Sequence, residues 1–200
     1  MRLGIFGGAF DPIHNGHLLL AEQCREQCQL DEVWFVPTKI PPHKKAGSLS
    51  PDADRVEMLK LATAGRPEFV VSDIELKRED VSWTVDTLRK LHDERPLDEF
   101  FLLIGADSLR DFPTWKDPES IARMASIVAV NRGEASLGEL TVGLSSEMAG
   151  SVRLVTMPGI SISATDLRDR VSEGKSIRYL VPRAVEEFIV ARSLFRDTAS

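Results

Sequence analysis

The sequence predicts an α/β fold, a doubly wound parallel sheet with a small helical portion near the C-terminus. Three observations predict it. Short apolar runs alternate with helix-like segments along the chain. Those runs lack strict in–out alternation, as expected of strands covered on both faces. The first run ends in Gly7-Gly8, and a helix-like segment follows shortly after, which is how a phosphate-binding turn reads in such folds.

The elements follow in order. Arg2 to Phe6 reads as a buried first strand and Leu18 to Cys28 as a helix. Glu32 to Val36 is a second strand, stopped by Pro37. Thr38 to Leu49, rich in proline and lysine, reads as an exposed loop. Ser50-Pro51 then opens a helix, with Ser50 expected as N-cap and Pro51 as first helical residue. Asp52 and Asp54 suit the positive end of that helix. Further strands are expected at Phe69 to Ser72, Glu99 to Ile104, Ser126 to Val130 and Val152 to Thr156. Helices are expected at Thr84 to His92, Ala164 to Val171 and Pro182 to Ala191. Gly133 to Gly150 has weak periodicity and carries no assignment. The chain is read as one domain over residues 1–200, its C-terminal helical portion spanning about 163–195 and lying over the sheet edge.

Composition bounds the function. With 42% hydrophobic and 28% charged residues the chain is of ordinary globular type. A formal charge of −6 denies it the broad positive field of a non-specific nucleic-acid binder. No apolar run approaches the roughly 20 residues that cross a bilayer, and no secretion signal is visible, so a cytoplasmic protein with no membrane partner is expected. Cys24 and Cys28 read as small buried residues of a reducing compartment, since neither His nor further Cys lies nearby to complete a metal site. A homo-oligomer is compatible with all of this.

The strongest chemical signal is Gly7-Gly8-Ala9-Phe10-Asp11-Pro12-Ile13-His14-Asn15-Gly16-His17. Glycines let backbone approach a phosphate closely, and a helix N-terminus offers it free N–H groups and a positive dipole end. His14 and His17, three apart, share a face at the helix start. Two of the four histidines in the chain sit in this one motif. A second segment, Ile162-Ser163-Ala164-Thr165-Asp166-Leu167-Arg168, reads as another helix start, with Ser163 as cap and Asp166 completing a capping box. A third, Gly105-Ala106-Asp107-Ser108, follows a strand, where an aspartate suits ribose hydroxyls or caps the next helix.

On these motifs the chain resembles the nucleotidyltransferase superfamily marked by HxGH, and within it the bacterial nicotinate-mononucleotide adenylyltransferases. The resemblance runs from Arg2 to about Ile189. It implies a Rossmann-like nucleotidyltransferase fold and transfer of AMP from ATP to nicotinate mononucleotide, giving deamido-NAD and pyrophosphate in NAD biosynthesis. Mg²⁺ would accompany the ATP, and no protein metal site is expected. His14 and His17 would be catalytic. Gly7, Gly8, Phe10, Gly105, Asp107, Arg132, Ser163, Thr165 and Arg168 would join them in binding ATP. Ala164 stands where the family often has serine, which removes one hydroxyl. Ser82-Trp83-Thr84-Val85-Asp86-Thr87 resembles the family's SYTxDT, with Trp83 for tyrosine. Thr84 would receive the acceptor's carboxylate, Trp115 would stack on its pyridine ring, and Lys39, His43 and Lys44 would contact its phosphate.

Two rival readings stand beside this one. Another adenylyltransferase of the superfamily would use a different acceptor, such as phosphopantetheine. A regulatory nucleotide-binding domain would keep the glycines and do no chemistry. The HxGH motif also occurs in class I aminoacyl-tRNA synthetases, but this chain lacks a large extra domain and a basic surface.

Overall fold

The computed structural model describes residues 1–41, 49–131 and 137–196. Six strands form one parallel sheet in the order β3-β2-β1-β4-β5-β6. They are β1 (Arg2–Gly8), β2 (Glu32–Pro37), β3 (Phe69–Val71), β4 (Glu99–Gly105), β5 (Ser126–Asn131) and β6 (Val152–Thr156). The order reverses between β1 and β4, which leaves a crevice beyond their carboxyl ends, Gly8 and Gly105. β1 runs two residues past its predicted end because Gly7 and Gly8 pair with Val36 and Pro37. Pro37 closes β2 without breaking it, since a last strand residue can dispense with one ladder donor.

The apolar runs divide by alternation between the two faces. Phe6, Phe101, Leu103, Val128 and Val130 enter one core. Leu3, Ile5, Leu102, Ile104 and Ile127 enter the other. The first core is covered by α1 (Asn15–Gln27), α2 (Asp52–Thr63), α8 (Ala164–Ser172) and α9 (Arg183–Ala191). The second is covered by α3 (Thr84–Glu94), α4 (Ala106–Asp111), α5 (Pro118–Met124), α6 (Leu137–Leu140) and α7 (Ser146–Ser151), with a 3-10 turn at Phe112–Thr114. α6 falls inside the stretch that carried no assignment, and α7 all but its last residue.

Three expectations need correction. α1 begins at Asn15 and not Leu18, because His14 already caps it. Ser50 does not cap α2: Pro51 is the N-cap, with no side-chain cap bond, and the Ser50 amide donates instead to Asp11 Oδ2 at 3.1 Å. The C-terminal helices do not merely overlie the sheet edge. Leu167, Val185 and Ile189 are at most 1% exposed and pack in one cluster with Phe6, Phe10 and Ile13.

Among the described residues, no helix is long and apolar enough to cross a membrane. Cys24 and Cys28 are both buried free thiols, and burial pushes both up from the ordinary thiol value.

Candidate active site

The motif after β1 folds back on itself. Phe10 takes a left-handed φ of 47° and turns its ring into the core, 2% exposed, against Phe6, Phe35 and His17. The buried ring is thereby closed to a ligand. Arg55 holds the loop from beneath. It is fully buried, and its Nη1 donates to the Ala9 carbonyl at 2.8 Å while Nε donates to the Ser50 carbonyl at 3.2 Å. The Asp52 carboxylate accepts from Nη2 at 2.5 Å. Sequence reading missed Arg55, yet a signal existed: it sits three and four residues before Met58 and Leu59, on the buried stripe of α2.

The two histidines cap α1 reciprocally. The His17 amide donates to His14 Nδ1, and the His14 amide donates to His17 Nδ1, each at 3.3 Å. The rings stack with centroids 3.6 Å apart and planes 17° from parallel. An Nδ1 that accepts carries no proton, so each neutral ring is protonated at Nε2 and presents it as a donor. The intervening glycine has a steric reason. A Cβ on Gly16 would lie 3.1 Å from His14 Nδ1 and 3.2 Å from its Cε1. The first turn of α1 holds no acidic residue, which leaves the helix's positive end to an anion.

The second motif comes to the first. Arg168 Nη1 donates to the Asp11 carbonyl at 2.7 Å and its Nη2 to Thr165 Oγ1 at 3.2 Å. Ser163 caps α8, its hydroxyl accepting from the Asp166 amide at 3.1 Å. Only this half of the expected capping box is present. Asn15 ties in the chain before α9: its amide donates to the Leu180 carbonyl and its side chain to the Tyr179 carbonyl. Two helix N-termini, α1 and α8, thus flank the histidine pair.

A cavity of about 690 Å³ opens beside the glycine turn. Gly7 and Gly8 line it from β1, Ser82, Trp83 and Thr84 from the start of α3, and Trp115 from beyond the 3-10 turn. Thr84 is the first residue of α3. Trp115 is half-buried, its ring edge-on to the fully buried Phe112 at 5.5 Å. It stands at a wall of the cavity and not in the core. Lys116 Nζ lies 5.3 Å from the Trp83 ring centroid and pairs with Asp86 at 3.0 Å.

Other predicted residues do not line this cavity. Gly105 ends β4 and caps α4; Asp107 is exposed in the first turn of α4 and pairs with Arg110 at 3.1 Å. The Lys39 ammonium donates to the Leu76 carbonyl at 3.1 Å. Arg132, His43 and Lys44 lie outside the described residues. Sequence reading also missed Glu75, a buried cavity-lining carboxyl in the turn after β3.

Three comparisons bear on this geometry. The family described as cytidylyltransferase-like matches residues 5–170. A protein of Dictyoglomus thermophilum described as "Probable nicotinate-nucleotide adenylyltransferase" is 43% identical over 195 residues, covering 98% of this chain and all of that one. A protein of the same description from Thermus thermophilus is 46% identical over 196 residues, again covering 98% of this chain and all of its own. Among solved structures, the nicotinic acid mononucleotide adenylyltransferase of Plasmodium falciparum complexed with NaAD superposes with a TM-score of 0.79. It is 18% identical, covering 97% of both chains, and so speaks to the fold.

Proposed function

The chain belongs to the cytidylyltransferase-like family, with the nicotinate-nucleotide adenylyltransferases as its relatives, and from that premise we infer that it is a nicotinate-nucleotide adenylyltransferase. It transfers AMP from ATP to nicotinate mononucleotide, releasing pyrophosphate and giving deamido-NAD. The observation that carries the reading is the histidine pair. Two imidazoles with Nε2–H fixed as donor stand at a helix N-terminus whose first turn holds no acidic residue, at the sheet's switch point.

The chemistry asks for position and charge stabilisation. An oxygen of the acceptor's 5′-phosphate attacks the α-phosphorus of ATP in line, and the bond to the bridging oxygen breaks as pyrophosphate leaves. No proton must be removed from an already ionised phosphate, so no general base is required. His17 Nε2–H stabilises charge developing on the α-phosphoryl, and His14 Nε2–H holds the phosphates. The glycine turn and the N-terminus of α8 supply backbone donors, with Ser163, Thr165 and Arg168 beside them, and the positive end of the α1 dipole adds to them. Asp107 and Gly105, at the end of β4, suit the adenosine ribose.

The acceptor's ring occupies the cavity. Trp115 offers a π-face to the pyridine, and Thr84, at the start of α3, meets the carboxylate with hydroxyl and backbone amide. Mg²⁺ carried on the ATP phosphates would supply charge neutralisation at the leaving pyrophosphate. A cytoplasmic setting is part of the same proposal.

The test is a coupled pyrophosphate assay with ATP and, in parallel, nicotinate mononucleotide, nicotinamide mononucleotide and phosphopantetheine. Nicotinate mononucleotide is expected to have the highest kcat/KM. The neutral amide leaves polar contacts unmet, typically about 1–3 kcal/mol each. Release of pyrophosphate with phosphopantetheine alone would move the protein to another acceptor class.

A further inference from the structure

The cavity wall next to Thr84 contains a carboxyl that the adenylyl transfer does not use. Glu75 is 6% exposed and lies in the turn after β3. Its Oε1 accepts from Thr87 Oγ1 at 2.7 Å, and Thr87 in turn accepts from Arg78 Nη2 at 3.0 Å. Its Oε2 is buried and makes no hydrogen bond of ordinary geometry among the described residues, although the Ser82 hydroxyl is near enough to act on the carboxyl. A carboxylate oxygen buried and unmet costs far more than the neutral acid in the same place.

The surroundings of Glu75 are those of the acceptor's ring. Thr87 lies on α3 one turn beyond Thr84, and Ser82 and Trp83 lead into that helix. Ser82 Oγ accepts from the Lys39 amide at 3.1 Å, and the Ser82 amide donates to the Ile40 carbonyl at 3.0 Å. The Lys39 ammonium closes the ring of contacts on the Leu76 carbonyl. Glu75 is therefore locked to the segment that presents Thr84.

We propose that Glu75 is a positioning and specificity residue for the acceptor: through Thr87 it holds the start of α3, and its protonation state sets whether the cavity favours an anionic or a neutral pyridine. The proposal rests on the nicotinate-nucleotide reading. An acid proton on Glu75 keeps the cavity free of negative charge, so a ring carboxylate docks at the helix N-terminus unopposed. Ionised, Glu75 places a like charge in the same wall.

Among the described residues, four charged groups beside Glu75 bear on its titration. Arg78 lies in its own segment, Lys39 follows β2, and Asp111 and Lys116 line other walls, Lys116 being paired with Asp86 from α3. Burial pushes the Glu75 carboxyl above its ordinary value, against the opposing pull of the Thr87 and Ser82 hydroxyls and of Arg78. The acid form thus persists to higher pH than in an ordinary glutamate. As pH rises through the Glu75 titration, preference for nicotinate over nicotinamide mononucleotide falls.

The experiment measures kcat/KM for both acceptors with ATP between about pH 5 and about pH 9, and reads their ratio. The ratio cancels the shared 5′-phosphate and every step with ATP. In the unaltered enzyme it should fall about tenfold on ionisation, for a coupling of about one pKa unit. In Glu75→Gln it should be flat, with KM for ATP unchanged. In Thr87→Val, which removes a hydroxyl that favours the carboxylate, the fall should move upward by about one pH unit. Thr87→Val preserves side-chain shape, and so serves if Glu75→Gln does not fold. A flat ratio in the unaltered enzyme, an equal fall in Glu75→Gln, or an unmoved midpoint in Thr87→Val overturns the proposal. Failure of both acceptors to release pyrophosphate overturns the functional reading instead.

Discussion

At the scale of single residues, His17 is the most exacting position. Its Nδ1 is occupied by the His14 amide, so its ring is oriented before any ligand arrives. Preorganisation of this kind contributes when charge develops, since no donor need turn at that moment. His17→Ala should therefore lower kcat and kcat/KM together, by roughly 10²–10³-fold. ATP affinity should fall only modestly, because backbone amides of the glycine turn remain. The stack with His14 and the edge contacts with Phe6 and Phe10 also vanish, so the melt on the same preparation should drop slightly. Steady-state kinetics beside that melt decide the matter: a folded variant with unchanged kcat makes the HNGH segment a turn and nothing more. Arg55 poses the opposite case. It touches no proposed ligand contact, yet its guanidinium is fully buried beneath the Ala9 carbonyl. Arg55→Ala strips a partner from the Asp52 carboxylate and from two carbonyls, and should cost stability of about 3 kcal/mol. Denaturant titration measures it, and a midpoint unchanged from the parent would remove Arg55 as the prop of the phosphate turn.

At the scale of elements, the site is assembled from helix starts. α1, α3 and α8 each begin at the crevice or the cavity, and each carries one of the sequence motifs. That is why these parts were legible: glycine turns, cap residues and apolar runs are local signals. The six strands were read within a few residues of their ends, as were the long helices apart from α2, of which only the start was read. The elements that escaped are α4, α5, α6 and α7, none longer than seven residues. Fewer than two turns cannot display a 3.6-residue period, and Pro113 and Pro118 break the pattern further. The reciprocal histidine cap was also out of reach, because spacing places two rings on one face without saying what their Nδ1 atoms accept. Glu75 escaped for a related reason: in Asp73-Ile74-Glu75-Leu76-Lys77-Arg78 one acid among many charges carries no mark of burial. Trp115 tests the element scale directly. It projects from the chain after the 3-10 turn while Phe112 anchors that turn in the core. Trp115→Ala should raise KM for nicotinate mononucleotide by severalfold, stacking being worth on the order of 1 kcal/mol, with ATP binding nearly unchanged. A variant that loses its cooperative melt would instead assign Trp115 to the core.

At the scale of the whole molecule, the sheet joins two cores that share β1, β2, β4, β5 and β6 and no helices. Every tryptophan of the chain, Trp34, Trp83 and Trp115, packs against the core formed with α3 to α7. The C-terminal helices belong to the other core, where Ile189 is 1% exposed and packs with α2. Arg192 adds an ion pair to the buried Asp54 at 3.1 Å. If these helices were a lobe merely resting on the sheet, weakening them would melt them first and leave the tryptophans undisturbed. If the sheet couples its two faces, the loss must reach both. Ile189→Ala removes buried methyl groups from the helix and leaves a cavity, at a cost of about 2–4 kcal/mol. The expectation is a lower melting temperature with one transition, at which tryptophan emission and far-ultraviolet ellipticity change together. Their coincidence is the criterion, since the substitution and the fluorophores lie on opposite faces. An early ellipticity loss at constant tryptophan emission would show that α8 and α9 unfold on their own. ATP binding, which the proposed site assigns to Arg168 of α8 and to the histidine pair of α1, would then fail before acceptor binding did.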